Sequence, residues 1–169
     1  DGFNRWEAGQ QLGLKMINSM VDKAEAGEKP EVCPRYMESL GTLLEQALEP
    51  DADRALFARA LALPDVGFIG QSREAVDPPA IHAQRQTIIK TIKREHRKVL
   101  DKIYKDCAQN SYDITPQSMG KRALRNLVLG ILSSTHGTGC RKRAKAHYDA
   151  ADNMTDRVAA LSTLATMQH

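Results

Sequence analysis

Long apolar runs are missing from this sequence. No stretch approaches the roughly 18 uninterrupted apolar residues that a membrane-spanning helix needs. The first twenty residues carry Asp1, Arg5 and Glu7 where a leader would have a basic head and a greasy core. These absences argue against a membrane span or a visible targeting segment. Aromatic residues are scarce at 5% of the chain, while Ala, Leu, Lys, Arg, Glu and Gln dominate. The side chains that fill pleated sheets are therefore few and good helix formers abundant, so an all-α protein is expected. Cysteine is equally sparse. Cys33, Cys107 and Cys140 are odd in number, widely spaced and without a CxxC pair, which excludes a disulfide framework and fits a reducing, cytoplasmic setting. What is present, 41% hydrophobic and 27% charged residues over 169 positions, is the balance of one globular domain, read as a single helical domain over 1–169.

The net charge of +3 hides an uneven distribution. Residues 1–77 hold 8 Lys/Arg against 14 Asp/Glu and residues 78–169 hold 16 against 7, so the halves carry −6 and +9. A +9 half could meet phosphates. Its basic residues Lys90, Lys93, Arg94, Arg97, Lys98, Lys102 and Lys105, however, surround Glu95, Asp101 and Asp106 at helical spacing, and no aromatics alternate with them to stack bases. Solvated pairs along a helix explain them better, and nucleic acid is not the expected partner.

Hydrophobic periodicity places seven helices. Trp6, Gly13, Met16, Ile17, Met20 and Ala24 recur at three- and four-residue steps over about 3–26, with Gly27 as the stop. A second stripe runs through Met37, Leu40, Leu44, Ala47 and Leu48. A short third helix starts after Asp51, with Asp53 favouring its positive end and Pro64 beyond it. Residues 65–76 contain Gly67 and Gly70 and no helical period, which reads as the longest loop. Asp77 before Pro78 and Pro79 is a strong helix start. The stripe that follows, through Ile81, Ile88, Ile92, His96, Leu100 and Ile103 to Cys107, is long enough that a bend is expected near Arg94. Thr115-Pro116 repeats the cap-then-proline signal before a helix apolar almost all round (Met119, Ala123, Leu124, Leu127, Val128, Ile131, Leu132), which reads as central and buried. A basic helix over about 140–151 and a last one from Asn153 complete the chain. Hairpin order without a strict repeat suggests antiparallel helix pairs in an irregular α–α superhelix of the HEAT/armadillo kind.

Candidate chemistry is thin. Zinc hydrolysis needs two imidazoles on one helix face with a carboxylate base, as an HExxH run supplies, and no histidine here precedes a glutamate. His96 on the long stripe reads as a satisfied core histidine. His136, Cys140 and His147 are a loose trio without a fourth ligand or a recognised metal spacing. Ser133 and Ser134 lack a GxSxG elbow and a separate base. His136-Gly137-Thr138-Gly139-Cys140 lacks the strand and the rest of a phosphate loop, so it reads as helix punctuation. Asn153-Met154-Thr155 is a formal glycosylation acceptor, but Asp156 three residues on makes Asn153 a helix cap first. No catalytic or metal-binding residue is expected, and no substrate-binding residue can be named. Asn126, flanked by Ala123, Leu127 and Gly130, is expected to be a buried structural amide bonded to a neighbouring helix terminus or loop.

Four segments carry a resemblance. Asp1-Gly2-Phe3-Asn4-Arg5-Trp6-Glu7-Ala8, Val76-Asp77-Pro78-Pro79-Ala80-Ile81-His82-Ala83-Gln84-Arg85, Gly120-Lys121-Arg122-Ala123-Leu124-Arg125-Asn126 and Ala151-Asp152-Asn153-Met154-Thr155-Asp156-Arg157 resemble, in this order, the helical C-terminal part of bacterial-type aminopeptidase N. The resemblance implies a zinc metallopeptidase that removes N-terminal residues from peptides, in which this chain is a non-catalytic scaffold and lid over the chamber. It also implies zinc in the whole enzyme but no cofactor in this segment, with the catalytic domain of the same polypeptide as partner and peptides as substrates. The zinc-binding HExxH, the GxMEN run and the transition-state tyrosine of the family have no match here. The family's helical domain normally extends beyond the equivalent of His169, so the chain reads as truncated. On that expectation Met154, Val158, Leu161 and Ala165 cover the domain, while Ala160, Leu164 and Met167 form a strip covered by a second copy of the chain or frayed after Leu164. The alternatives are a stand-alone helical-repeat interaction module and, behind it, a nucleic-acid-binding helical domain.

Overall fold

A computed structural model describes residues 2–135 and 137–167, and of Phe3 and Arg5 the backbone only. The described residues form eight helices and no strand: α1 (Gly2–Glu25), α2 (Pro34–Gln46), α3 (Arg54–Ala60), α4 (Val66–Gln71), α5 (Pro78–Asp106), α6 (Pro116–Leu132), α7 (Thr138–Ala150) and α8 (Met154–Ala165). No helix is long and apolar enough to cross a membrane among the described residues.

Local chemistry sets the boundaries. After α1 the chain turns away through Gly27 at φ +76°, a left-handed conformation that glycine adopts without a Cβ clash. α3 begins at Asp53, not Asp51. Its carboxylate accepts from Ala55 N at 3.0 Å and Leu56 N at 3.1 Å, so the residue read as a favourable charge is itself the cap. α4 corrects the expected loop. Asp65 accepts from Phe68 N at 2.8 Å and Ile69 is fully buried, but six residues are too few for a 3.6-residue period to show. Asp77 starts α5 by accepting from Ala80 N at 3.0 Å. Its 29 residues would span about 43 Å if straight, but His96 leaves helical geometry at φ −115°, ψ 20°, two residues past the expected bend.

α5 and α6 pack together, α3 lies against α6, α1 and α2 lie on α5, and the α7–α8 pair closes onto α6. One large core joins Ile17, Val21, Leu44, Ile81, Ile88, Leu100, Leu124 and Val128 across α1, α2, α5 and α6. A smaller one gathers Leu129, Ala144, Ala160 and Met167 between α6, α7 and α8.

α6 is central as expected, but one expectation about its faces and one about those of α8 need correction. α6 is not buried all round, because Met119 is 56% exposed and Ala123 and Gly130 also face outward. Apolar character permits burial without enforcing it. In α8 the covering strip is Ala160, Leu164 and Met167, with Ala160 fully buried, whereas Met154, Val158 and Leu161 are 52–73% exposed. The strip expected to lie open thus packs within the chain, with Met167 7% exposed and Leu164 half-buried. Small Ala160 lets α8 approach Ala144, and buried Asp156 one turn earlier turns the same face inward.

Candidate functional site

The polar side chains of the fold converge where α6 meets the α7–α8 connection. Asn126 Nδ2 donates to Asp156 Oδ1 at 2.9 Å, and Asn153 Nδ2 donates to Asp156 Oδ2 at 3.0 Å. Asn153 also caps α8, its Oδ1 accepting from Asp156 N at 2.9 Å. The partner of Asn126 is thus a carboxylate side chain in the first turn of α8, at a neighbouring helix terminus, and Asn126 is half-buried, not buried. Its Oδ1 is buried and has no hydrogen-bond partner among the described residues. Thirty residues separate the two segments. Their meeting joins the Gly120–Asn126 and Ala151–Arg157 motifs in space.

Around this junction lies a second polar layer. His147 is 3% exposed, with Nδ1 at 2.8 Å from the Tyr104 hydroxyl and Nε2 at 3.9 Å from Asp156, too far for a hydrogen bond. Burial pushes the imidazole below its usual range and Arg125 adds to this, while Asp156 acts the other way. Burial also pushes the Tyr104 hydroxyl up. Arg125 lies over the Tyr104 ring at 4.7 Å, and Arg122 over the Tyr112 ring at 4.8 Å. Arg122 further donates from Nη1 to Asp113 O at 2.6 Å. Together Arg122, Arg125, Tyr112, Asp152, Asn153 and Asp156 line a cleft of about 190 Å³.

The remaining residues singled out by sequence lie elsewhere. His96 Nε2 is 3.1 Å from Met37 O, and its ring sits so close to Gly41 that a Cβ there would lie 2.7 Å from Cε1. Asp77 caps α5. Of the histidine–cysteine trio, His136 lies outside the described residues. Cys140 Sγ has Lys93 Nζ at 3.3 Å and Thr135 Oγ1 at 3.6 Å, while His147 turns toward Tyr104 and Asp156. Burial raises the Cys140 thiol, but hydrogen bonds from Thr135 and Lys93, the Lys93 charge and the Gly137 backbone outweigh it and leave it below the usual thiol value. Among the described residues no three His, Cys, Asp or Glu side chains gather as a metal site. The basic residues of the second half are partly consumed in pairs: Arg97 and Arg143 each hold Asp101 at 2.9 Å and Lys145 holds Asp149 at 2.7 Å.

Sequence reasoning did not single out Tyr104, Arg122, Arg125, His147 or Asp156 as one group. The available signal was that two of the four quoted motifs carry paired polar residues (Arg122, Arg125, Asn126 and Asp152, Asn153, Asp156), but periodicity says nothing of which distant motifs touch.

Helices stacked in this way, without strands among the described residues, define an α-helical repeat domain. The chain belongs to the family described as a domain of unknown function (DUF3458_C) with ARM repeats, which matches residues 1–169. It is similar to aminopeptidase N of Caulobacter vibrioides, 34% identical over 99% of this chain, and of Haemophilus influenzae, 30% identical over 95%. The aminopeptidase N of Escherichia coli is 29% identical over 98%. The chain spans only 18–19% of the length of these relatives. Among solved structures, the aminopeptidase A of Legionella pneumophila in complex with aspartic acid matches with a TM-score of 0.82 over 99% of this chain and 20% of that one. At 20% identity this speaks to the fold alone. The resemblance read from four motifs and the relatives agree on aminopeptidase N.

Proposed function

We propose that this chain is a non-catalytic helical segment of a zinc aminopeptidase N that removes N-terminal residues from peptides. In that enzyme it serves as scaffold and lid, limiting entry to the chamber that holds the active site. The observation that carries this reading is the 29–34% identity to aminopeptidase N over 95–99% of the chain but only about a fifth of each relative. A stack of helices suits the role, because covering a cleft excludes folded proteins and bulk water during hydrolysis. The residues present do not fit a zinc site, since no histidine precedes a glutamate and the thiol and imidazole of Cys140 and His147 face different partners. No chemical step is assigned to this chain. Its partner is the catalytic domain of the same polypeptide, its substrates are those of that domain, and three free thiols support a reducing, cytoplasmic setting. Pairing of the basic residues with carboxylates speaks against a nucleic-acid role.

The test is an aminopeptidase assay on the intact polypeptide, with and without this segment present. The expected result is peptide hydrolysis by the intact enzyme and broader access by long substrates when the segment is loosened. A reading frame without an HExxH domain, combined with capture of a protein partner by the chain, would favour the interaction module instead.

A further inference from the structure

The cleft between α6 and the start of α8 sets opposite charges on facing walls, where Arg122 acts on Asp152 across the gap without a direct ion pair. One wall carries Arg122 and Arg125, three residues apart on α6, and the other carries Asp152, Asn153 and Asp156. Arg122 is 6% exposed, yet no ion pair among the described residues includes it or Arg125. A guanidinium offers five N–H donors. Arg122 donates through Nη1 to Asp113 O and Gln109 Oε1, and Arg125 donates through Nε to Tyr104 O and also bonds the Tyr104 side chain, which leaves further donors of both free for a ligand. Stacking on Tyr112 and Tyr104 fixes the planes of both guanidinium groups. Across the cleft each carboxylate oxygen of Asp152 and Asp156 holds one donor and keeps a lone pair free.

A simple anion placed here would be repelled by the two aspartates and a simple cation by the two arginines. A small molecule with both charges satisfies both walls. We propose that this cleft binds a free α-amino acid, its carboxylate on Arg122 and Arg125 and its ammonium on Asp152 and Asp156. Ala150 and Ala151 also line the cleft, and with about 190 Å³ available they leave room for a small aliphatic side chain. The carboxylate of the ligand supplies a direct partner for the Arg122 donors, whose charge otherwise reaches Asp152 only across the cleft. The proposal stands on the cleft and does not depend on the peptidase reading. Where that reading holds, the ligand belongs to the same chemical class as the product released.

Isothermal titration of the intact protein with L-alanine, propionate and ethylamine tests it. L-Alanine is expected to bind saturably and each single-charge analogue at least tenfold more weakly. Asp152→Asn keeps the side chain's size and removes one charge together with one of its two accepted hydrogen bonds, and Arg125→Gln removes the opposite charge. Each is expected to weaken L-alanine at least tenfold while the melting temperature of the free protein stays within a few degrees. If Arg125→Gln does not fold, Asp152→Asn decides alone. Equal binding of propionate, L-alanine binding that survives Asp152→Asn, or no saturable binding overturns the proposal. A peptide-hydrolysis assay run alongside separates the two readings, because binding sensitive to Asp152→Asn without hydrolysis removes only the peptidase, and hydrolysis without such binding removes only this site.

Discussion

Two glycines on α6 are expected to respond in opposite directions to the same substitution. In a helix interior alanine is favoured over glycine by about 0.8–1.0 kcal/mol, because glycine loses more backbone freedom on folding. Gly130 has nothing within 4 Å of the place its Cβ would take. Gly130→Ala should therefore stabilise the chain by about 0.5–1 kcal/mol, somewhat reduced by its place in the last turn. At Gly120 the added Cβ would lie 2.9 Å from the backbone nitrogen of Ala55. That neighbour is main chain at the start of α3 and cannot rotate away, so α3 must shift along its contact with α6. Overpacking of this kind costs about 1–3 kcal/mol, which exceeds or cancels the propensity gain. The two variants should differ by about 1–3 kcal/mol, or several degrees in melting temperature at about 2–4 °C per kcal/mol for a chain of this size. Thermal unfolding followed by circular dichroism measures both. Equal stabilisation by the two substitutions would show that α3 does not press on α6 and would refute the reasoning.

The pH dependence should follow His147. Its folded value lies below the unfolded 6.5, so the unfolded chain binds more protons between the two and stability falls as pH drops below about 6.5. His147→Gln should flatten that slope in unfolding curves collected across the range, and an unchanged slope would assign it elsewhere. Among the thiols, Cys140 should be alkylated by iodoacetamide with a lower pH midpoint than a free thiol, and Cys107, raised first by burial and then by Asp106, should be the slowest. Site-resolved mass spectrometry reads both; Lys93→Met should move the Cys140 midpoint upward, and no movement would mean that the Lys93 charge does not act on it. Asp53→Ala removes a cap that serves two backbone donors of α3 and should cost about 0.5–2 kcal/mol in denaturant unfolding.

Elements with strong punctuation were legible in the sequence. Asp77-Pro78, Thr115-Pro116 and Asn153 each announced a helix that the structure contains, because caps and prolines act within a few residues. α4 was not legible, since a six-residue helix shows no period and its glycines mimic a loop. Neither was the inward face of α8. Both of its strips have helical spacing, and what chooses between them is Asp156 meeting Asn126 from another helix. The same limit hid the cleft: Arg122, Arg125, Asp152 and Asp156 stood in quoted motifs, but only three-dimensional packing makes them opposite walls. Exposure on α6 was misread for a related reason, as Met119 and Ala123 fit a buried helix by type but face no neighbouring element.

Tyr104 packs against both the large core and the smaller one beneath α7 and α8. That arrangement gives the chain two cores of unequal size, the smaller with four buried side chains among the described residues. Amide protons of α7 and α8 should exchange with solvent at lower opening free energy than those of α5, so the last pair of helices can unzip while the first six remain folded. Tyr104, with its hydroxyl on His147, is then the hinge pin of partial unfolding, and a Tyr104→Phe change should accelerate exchange in α7 before it alters α1 or α2.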